Sequence, residues 1–407
     1  MSERYQAVHF AHAPGAKLSD VSAFSRTEAE AARAFHRSIP GYAPTPLADL
    51  PCLARELGVA RVLVKDESFR FGLNAFKVLG GSWAIARALA ARLGLDPKEM
   101  TYERLTSDET RTRIGEQTFV TATDGNHGRG VAWTAAKLKQ RCIVYMPKGS
   151  SLERLENIRA LGAEASITDV NYDGAVEMAR ETAERLGGTL VQDTSWPGYE
   201  DVPRWIMQGY TTLALEACEQ LNGEIPTHVF LQAGVGSMAG AVAGFFASLW
   251  GDERRPAVTV VEPEAADCVF RTASAHDGTI HSVGGDLSTI MAGLACGVPC
   301  SLGWEVLRDH ADHFVSMPDE AAAQGMRILG APCGNDPRVI SGESGAAGFG
   351  LFAQAMRDPS LAWLKESLGL NERSRVLCIS TEGDTDRANY RRIVWDGAWS
   401  AARAQAF

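Results

Sequence analysis

The sequence predicts an α/β protein of two domains, each a mostly parallel sheet covered by helices. Three observations carry that expectation. Short β-branched, apolar runs alternate with helix-periodic runs along most of the 407 residues. Several strand-like runs end in glycine- or asparagine-bearing turns that lead straight into a helical run. A 43.8 kDa chain with 45% hydrophobic residues is also long enough to bury more than one core.

In order, residues 1–51 hold scattered Pro and Gly and few long periodic runs, which predicts an arm laid over a core. Residues 61–67 read as a strand. Residues 75–93 are rich in Ala, Leu and Arg with no proline, so they read as a helix capped by Asn74. A polar insertion at 96–113 is expected to be partly helical. Strand, turn and helix recur at 118–123, 124–128 and 129–139, then at 142–147 and 151–162, where Leu152, Leu155, Ile158 and Leu161 keep helical spacing. A strand at 166–168, a helix at 172–186 and a strand at 189–192 extend the alternation. Helices are expected at 205–220, 238–250, 301–310 and 318–329, with strands at 227–232, at 258–263, ended by Pro263, and at 376–381; the run 342–356 completes the series. The expected division is 1–85 with 191–407 as the larger domain and 86–190 as a smaller, mobile one, with the site in the cleft between them.

A formal net charge of -10, from 40 Lys+Arg against 50 Asp+Glu, with no basic run, argues against nucleic acid or an anionic membrane as partner. The opening ten residues lack the apolar core of a signal peptide, so the expected compartment is the cytoplasm and the eight cysteines are expected to be mostly thiols. No C-x-x-C pair or histidine spacing points to a metal. The uncharged stretch 229–250 is too rich in glycine for a lone spanning helix and fits a buried strand turning into a buried helix.

Lys77 then stands out, in the first turn of an apolar helix. The positive helix end and apolar neighbours Phe76, Val78 and Leu79 would both favour a neutral amine, as a Schiff-base lysine needs; the plain alternative is a snorkelling surface lysine. The turn Gly234-Val235-Gly236-Ser237-Met238, between a strand and a helix, offers bare backbone amides to a phosphate, or else packs a helix on a sheet. Its third glycine, Gly240, comes one place late for a dinucleotide fingerprint, although Glu262 ends the next strand, and no Walker lysine is present. A lysine nucleophile with a non-dinucleotide phosphate cradle points to pyridoxal 5'-phosphate.

Asn74-Ala75-Phe76-Lys77, Thr123-Asp124-Gly125-Asn126-His127-Gly128, the turn at 234–238 and Ser380-Thr381-Glu382-Gly383-Asp384-Thr385-Asp386 resemble the fold type II pyridoxal-phosphate enzymes, which include threonine dehydratases and the tryptophan synthase β chain. The chain is more closely similar to the diaminopropionate ammonia-lyases, over nearly its whole length. The resemblance implies α,β-elimination of D- and L-2,3-diaminopropionate to pyruvate and ammonia by a homodimer. Lys77 would hold the cofactor and remove the Cα proton, Asn126 would bond its phenolic oxygen, and the amides of Gly234, Val235, Gly236, Ser237 and Met238 would bind its phosphate. A hydroxyl, from Thr381 or from Thr385, would meet the pyridine nitrogen. Thr123 and Gly125 would border the substrate. Asp124 stands where dehydratases carry a small neutral residue; it would hold the second amine or act as a base on the other face of Cα. Asp193 looks like the family's other acidic contact, or is a helix or turn cap.

The resemblance also implies a cysteine pair at Cys268 and Cys296, as a disulfide or as free thiols. Glu343 borders the ring or caps a helix, His127 reads as a packed turn histidine, and the carboxylates of 382–386 lack calcium-loop spacing. Other readings are a serine or threonine dehydratase, a non-catalytic pyridoxal-phosphate sensor, and a nicotinamide dehydrogenase.

Overall fold

The computed structural model describes residues 4–10, 17–123 and 125–400. Within them lie β1 (Gln6–His9), β2 (Leu47–Asp49), β3 (Arg61–Asp66), β4 (Thr118–Ala122), β5 (Arg141–Met146), β6 (Glu164–Ile167), β7 (Thr189–Leu190), β8 (His228–Gln232), β9 (Ala257–Pro263), β10 (His313–Met317) and β11 (Arg375–Ser380). The larger sheet runs β1-β10-β9-β8-β11-β3-β2 and the smaller β6-β5-β4-β7. All neighbours are parallel except at the edges of the larger sheet, where β1 pairs antiparallel with β10 and β2 with β3. Every residue of β8 and β10 is buried, as strands covered on both faces require.

The strand order positions the site. β11 lies between β3 and β8, with Val376 opposite both Val62 and His228. Parallel strands in that register end together, so the segments starting at 67, 233 and 381 emerge side by side. β4 and β7 of the smaller sheet, themselves parallel neighbours, likewise deliver the segments that begin at Thr123 and Val191.

The helix Val78–Leu93 joins the two sheets. Thirteen of its residues are buried, so it is apolar nearly all round, as a helix enclosed by others must be. It packs on the helices Asn126–Lys137 and Asp201–Gln220. Glycines make that approach possible: a Cβ on Gly130 would lie 2.8 Å from Val78 Cα, and one on Gly209 would lie 2.3 Å from the Leu79 carbonyl oxygen.

This helix starts later than its sequence predicts. It opens at Val78 with Lys77 in the cap position, while Asn74 is left-handed (φ 58°) and donates its amide to Asp384 at 3.0 Å rather than capping. The reason lies across the sheet. Ala75 forms a bridge with Glu382 and the Phe76 N–H donates to the Thr381 carbonyl at 3.0 Å, so these residues are held against the chain after β11. The segment before them is anchored by a buried ion cluster, in which Arg70 pairs with Glu67 and Glu216, each at 2.8 Å, and Lys65 also pairs with Glu216 at 2.8 Å.

The described residues before Pro51 carry more regular structure than the expected arm. Besides β1 and β2 they form the helix Arg26–Ser38, which buries Ala29, Ala32, Phe35 and His36 at helical spacing. Half of that stripe is alanine, a weak apolar signal. His36 contacts the Thr212 hydroxyl (2.9 Å) and the Leu79 carbonyl (3.0 Å), and burial, with Arg70 adding, pushes its pKa down to about 3. β10 falls between two helical runs, where the sequence predicts no strand. The run 342–356 is helical only over Ala347–Arg357, because the Gly342 and Ser344 amides donate to the Glu382 carbonyl (2.9 Å) and carboxylate (3.1 Å). Among the described residues no helix is long and apolar enough to cross a membrane.

Candidate active site

A cavity lies where these strand ends converge. Lys77, Thr123, Asn126, Asp193, the turn Gly234-Val235-Gly236-Ser237-Met238 and Thr381 all line it. Lys77 donates to the Asp193 carboxylate, and about 21% of its side chain stays accessible while Asp193 keeps 7%. Asp193 is therefore an ion-pair partner of the lysine rather than a cap.

That contact corrects the expected state of the amine. Burial does push Lys77 down, but the Asp193 carboxylate outweighs it, and the amine ends above the ordinary lysine range. Asp193 behaves in the complementary way: burial pushes it up, and Lys77, with His127 behind it, holds it down at about 2. A carboxylate from the other sheet, invisible in the local sequence, reverses what the helix end and apolar neighbours would do.

The glycine turn has the geometry of an anion cradle. Gly236 sits at φ 90°, a left-handed conformation that glycine adopts without strain, and Ser237 opens the helix Ser237–Trp250. First-turn amides have no acceptor within their own helix and carry the positive end of its dipole. The Ser237 hydroxyl donates to the Asp193 carbonyl at 2.6 Å, which ties the cradle to the residue paired with Lys77. A Cβ on Gly234 would lie 3.0 Å from Cys296 Sγ and 3.2 Å from the Gly293 carbonyl oxygen. An amine on one wall and bare amides on another fit an aldehyde with a phosphate tail. Two buried polar atoms of wall residues, the Tyr210 hydroxyl and Gln232 Oε1, have no hydrogen-bond partner among the described residues.

The remaining wall comes from β8 and the chain after β11. Gln232 donates to the Thr381 hydroxyl oxygen at 3.0 Å, leaving that hydroxyl's own proton to be given elsewhere. Thr385 donates to Glu382 at 3.3 Å and does not line the cavity. Glu382, unremarked in sequence except as part of an acidic run, lines it and accepts from Asn126 at 2.5 Å. Tyr210 packs its ring on Phe76, 4.7 Å between centroids. No local signal marks Tyr210, which reads as one more apolar position of a long helix.

Of the other candidates, His127 and Cys296 line the cavity, while Gly125, Glu343, Cys268 and Glu262 do not. Asp124 lies outside the described residues. Gly125 backs onto Arg154, whose Cδ would be 2.9 Å from a Cβ placed there. His127 is buried, with Nε2 2.8 Å from the Val191 carbonyl oxygen and Nδ1 3.8 Å from Asp193. Glu343 borders an adjoining cleft that shares Tyr172, Ala292 and Ala295 with the cavity. Cys268 and Cys296 are free thiols. Glu262 accepts the Val269 and Phe270 amides at 2.9 and 2.6 Å, so it is committed to the helix Cys268–Ala275 rather than to a ribose. Among the described residues no group of His, Cys, Asp or Glu is arranged to hold a metal ion.

A family model described as pyridoxal-phosphate dependent enzyme matches residues 39–381. The chain is 53% identical over 382 residues to a diaminopropionate ammonia-lyase of Escherichia coli strain K12, covering 93% of this chain and 94% of that one. Solved structures of the Escherichia coli diaminopropionate ammonia lyase are also similar. The complex with D-serine has a TM-score of 0.90 at 49% identity, and the complex with an aminoacrylate-PLP azomethine reaction intermediate a TM-score of 0.89 at 48%; each covers 97% of this chain and 98% of the other.

Proposed function

The chain belongs to the pyridoxal-phosphate dependent enzymes and, among them, to the diaminopropionate ammonia-lyases, and from that premise we propose how its own residues carry out the reaction. It is a carbon–nitrogen lyase that eliminates ammonia across Cα and Cβ of 2,3-diaminopropionate, D or L, with pyruvate and a second ammonia as final products. Bound pyridoxal phosphate supplies an electrophilic aldehyde and a ring that accepts the electrons left at Cα. The observation that carries the assignment of roles is the Lys77–Asp193 pair, set in one cavity with the amide cradle.

Lys77 would hold the cofactor and, as a free amine, would accept the Cα proton on one face. Asp193 positions that amine and keeps a negative charge beside it. Asp124 serves the opposite face, which is how substrates of either hand react. The β-amine leaves as ammonia, and the unsaturated amino acid left behind breaks down in water to pyruvate and the second ammonia. The amides of Gly234 to Met238 would bind the phosphate, and Asn126 would bond the phenolic oxygen. Thr381, whose oxygen is already occupied by Gln232, donates to the pyridine nitrogen in preference to Thr385. Thr123, in the cavity wall, borders the substrate, and Gly125 does not.

We also read residues 86–190, which include the smaller sheet, as the domain that moves over the cleft, and the protein as a cytoplasmic homodimer; the homodimer rests on the resemblance alone. Light scattering on the purified protein tests the dimer. Titrating the holoenzyme with 2,3-diaminopropionate and with serine in one cuvette tests the substrate. Faster turnover of the diamino acid is the expected result, and preference for serine would favour a dehydratase.

A further inference from the structure

Glu382 is nine-tenths or more buried and fastens four segments. Its main chain bridges to Ala75 and accepts the Gly342 amide. Its Oε2 accepts from Asn126 Nδ2 (2.5 Å) and from the Thr385 hydroxyl (3.3 Å), and its Oε1 from the Ser344 backbone N–H (3.1 Å). No lysine, arginine or histidine among the described residues forms an ion pair with it.

These bonds set which way round Asn126 lies. A carboxylate only accepts, whereas an Asn amide has one accepting and one donating end. Asn126 must therefore turn its NH2 toward Glu382. One N–H is spent there, and the second lies on the same nitrogen, in a side chain that lines the cavity. We propose that Glu382 is a positioning residue that locks Asn126 as a hydrogen-bond donor toward the cofactor's phenolic oxygen. This rests on the reading of Asn126 as a cofactor contact.

Substitution by Gln separates this role from a merely structural one. Gln has one accepting oxygen, and the Ser344 N–H, being backbone, cannot turn away from it. Its NH2 is then left facing Asn126, which must flip and bring its own oxygen toward the cofactor's. The nearly isosteric Glu382→Gln is thus more damaging to cofactor binding than Glu382→Ala, which removes the acceptor without forcing the flip.

The test dilutes full-length holoenzymes and reads the cofactor's dissociation constant and visible band, with thermal midpoints as the check on folding. Asn126→Ala and Glu382→Gln should each weaken cofactor binding by about tenfold and shift the visible band alike. Glu382→Ala should weaken binding less than Glu382→Gln. In the Asn126→Ala background either change at 382 should add no more than about twofold. An equal loss in both backgrounds, or Ala proving worse than Gln, overturns the proposal while leaving Asn126 as a contact. Unchanged binding in Asn126→Ala overturns the underlying reading and the proposal with it. Should Glu382→Gln not fold, the cycle between Asn126→Ala and Glu382→Ala decides on the same criterion.

Discussion

Lys77 and Asp193 meet from different sheets: the lysine follows β3 of the larger sheet, the aspartate follows β7 of the smaller, and their side chains form an ion pair in the cleft. Burial alone would lower the amine, so the carboxylate is what holds the proton on it. Asp193→Asn removes that charge and keeps the shape. In the cofactor-free protein the pH dependence of Lys77 reductive methylation should move down by about 1 pH unit or more. An unmoved profile would show that Asp193 does not control the lysine.

Asp124→Asn addresses the two faces of Cα. Turnover of D-2,3-diaminopropionate should fall by about a hundredfold or more, the usual contribution of a general base, while the L substrate loses far less. Equal losses for both hands, measured by pyruvate release, would remove Asp124 from the role of second base.

Gly236→Ala places a side chain where φ is 90° and where the added Cβ would lie 3.3 Å from Leu307. A left-handed non-glycine residue costs roughly 1–2 kcal/mol, and relief would come from shifting the cradle amides. Cofactor affinity should fall about tenfold, read by equilibrium titration of the visible band. An unchanged affinity would mean that the phosphate is held elsewhere.

Glu343 makes stability depend on pH. Burial, then the neighbouring Glu382 charge, raise its pKa to about 7 against the Asn389 amide and Arg154, which favour the anion. A carboxyl raised in the folded state keeps its proton where the unfolded chain has lost it. Its contribution to stability is full below the ordinary value of 4.5 and is lost as pH rises through 7. Glu343→Gln mimics the protonated acid, so its thermal midpoint should gain on the wild type between pH 5 and pH 8. A constant difference across that range would contradict the raised pKa.

Local patterns carried most of the strands, the glycine turn and the position of Lys77, because apolar period and turn chemistry are set by near neighbours. The electrostatic state of Lys77 was not legible, since Asp193 arrives through sheet pairing 116 residues away. Glu382 and Tyr210 were hidden for a related reason. One sits in a run of acids where only β11's place between β3 and β8 turns it toward Asn126, and the other lies on a helix whose pattern signals packing. The helix Arg26–Ser38 is faint in the sequence because alanines form much of its buried face, and β10 because its five residues lie between two stronger helical signals.

The central claim is that Lys77 is the amine that holds the cofactor, and chemical trapping tests it most directly. Holoenzyme reduced with borohydride, digested and sequenced by mass spectrometry should carry the pyridoxyl adduct on the peptide containing Lys77. An adduct on another lysine, such as Lys65 in its buried ion cluster, or none at all, would contradict the account.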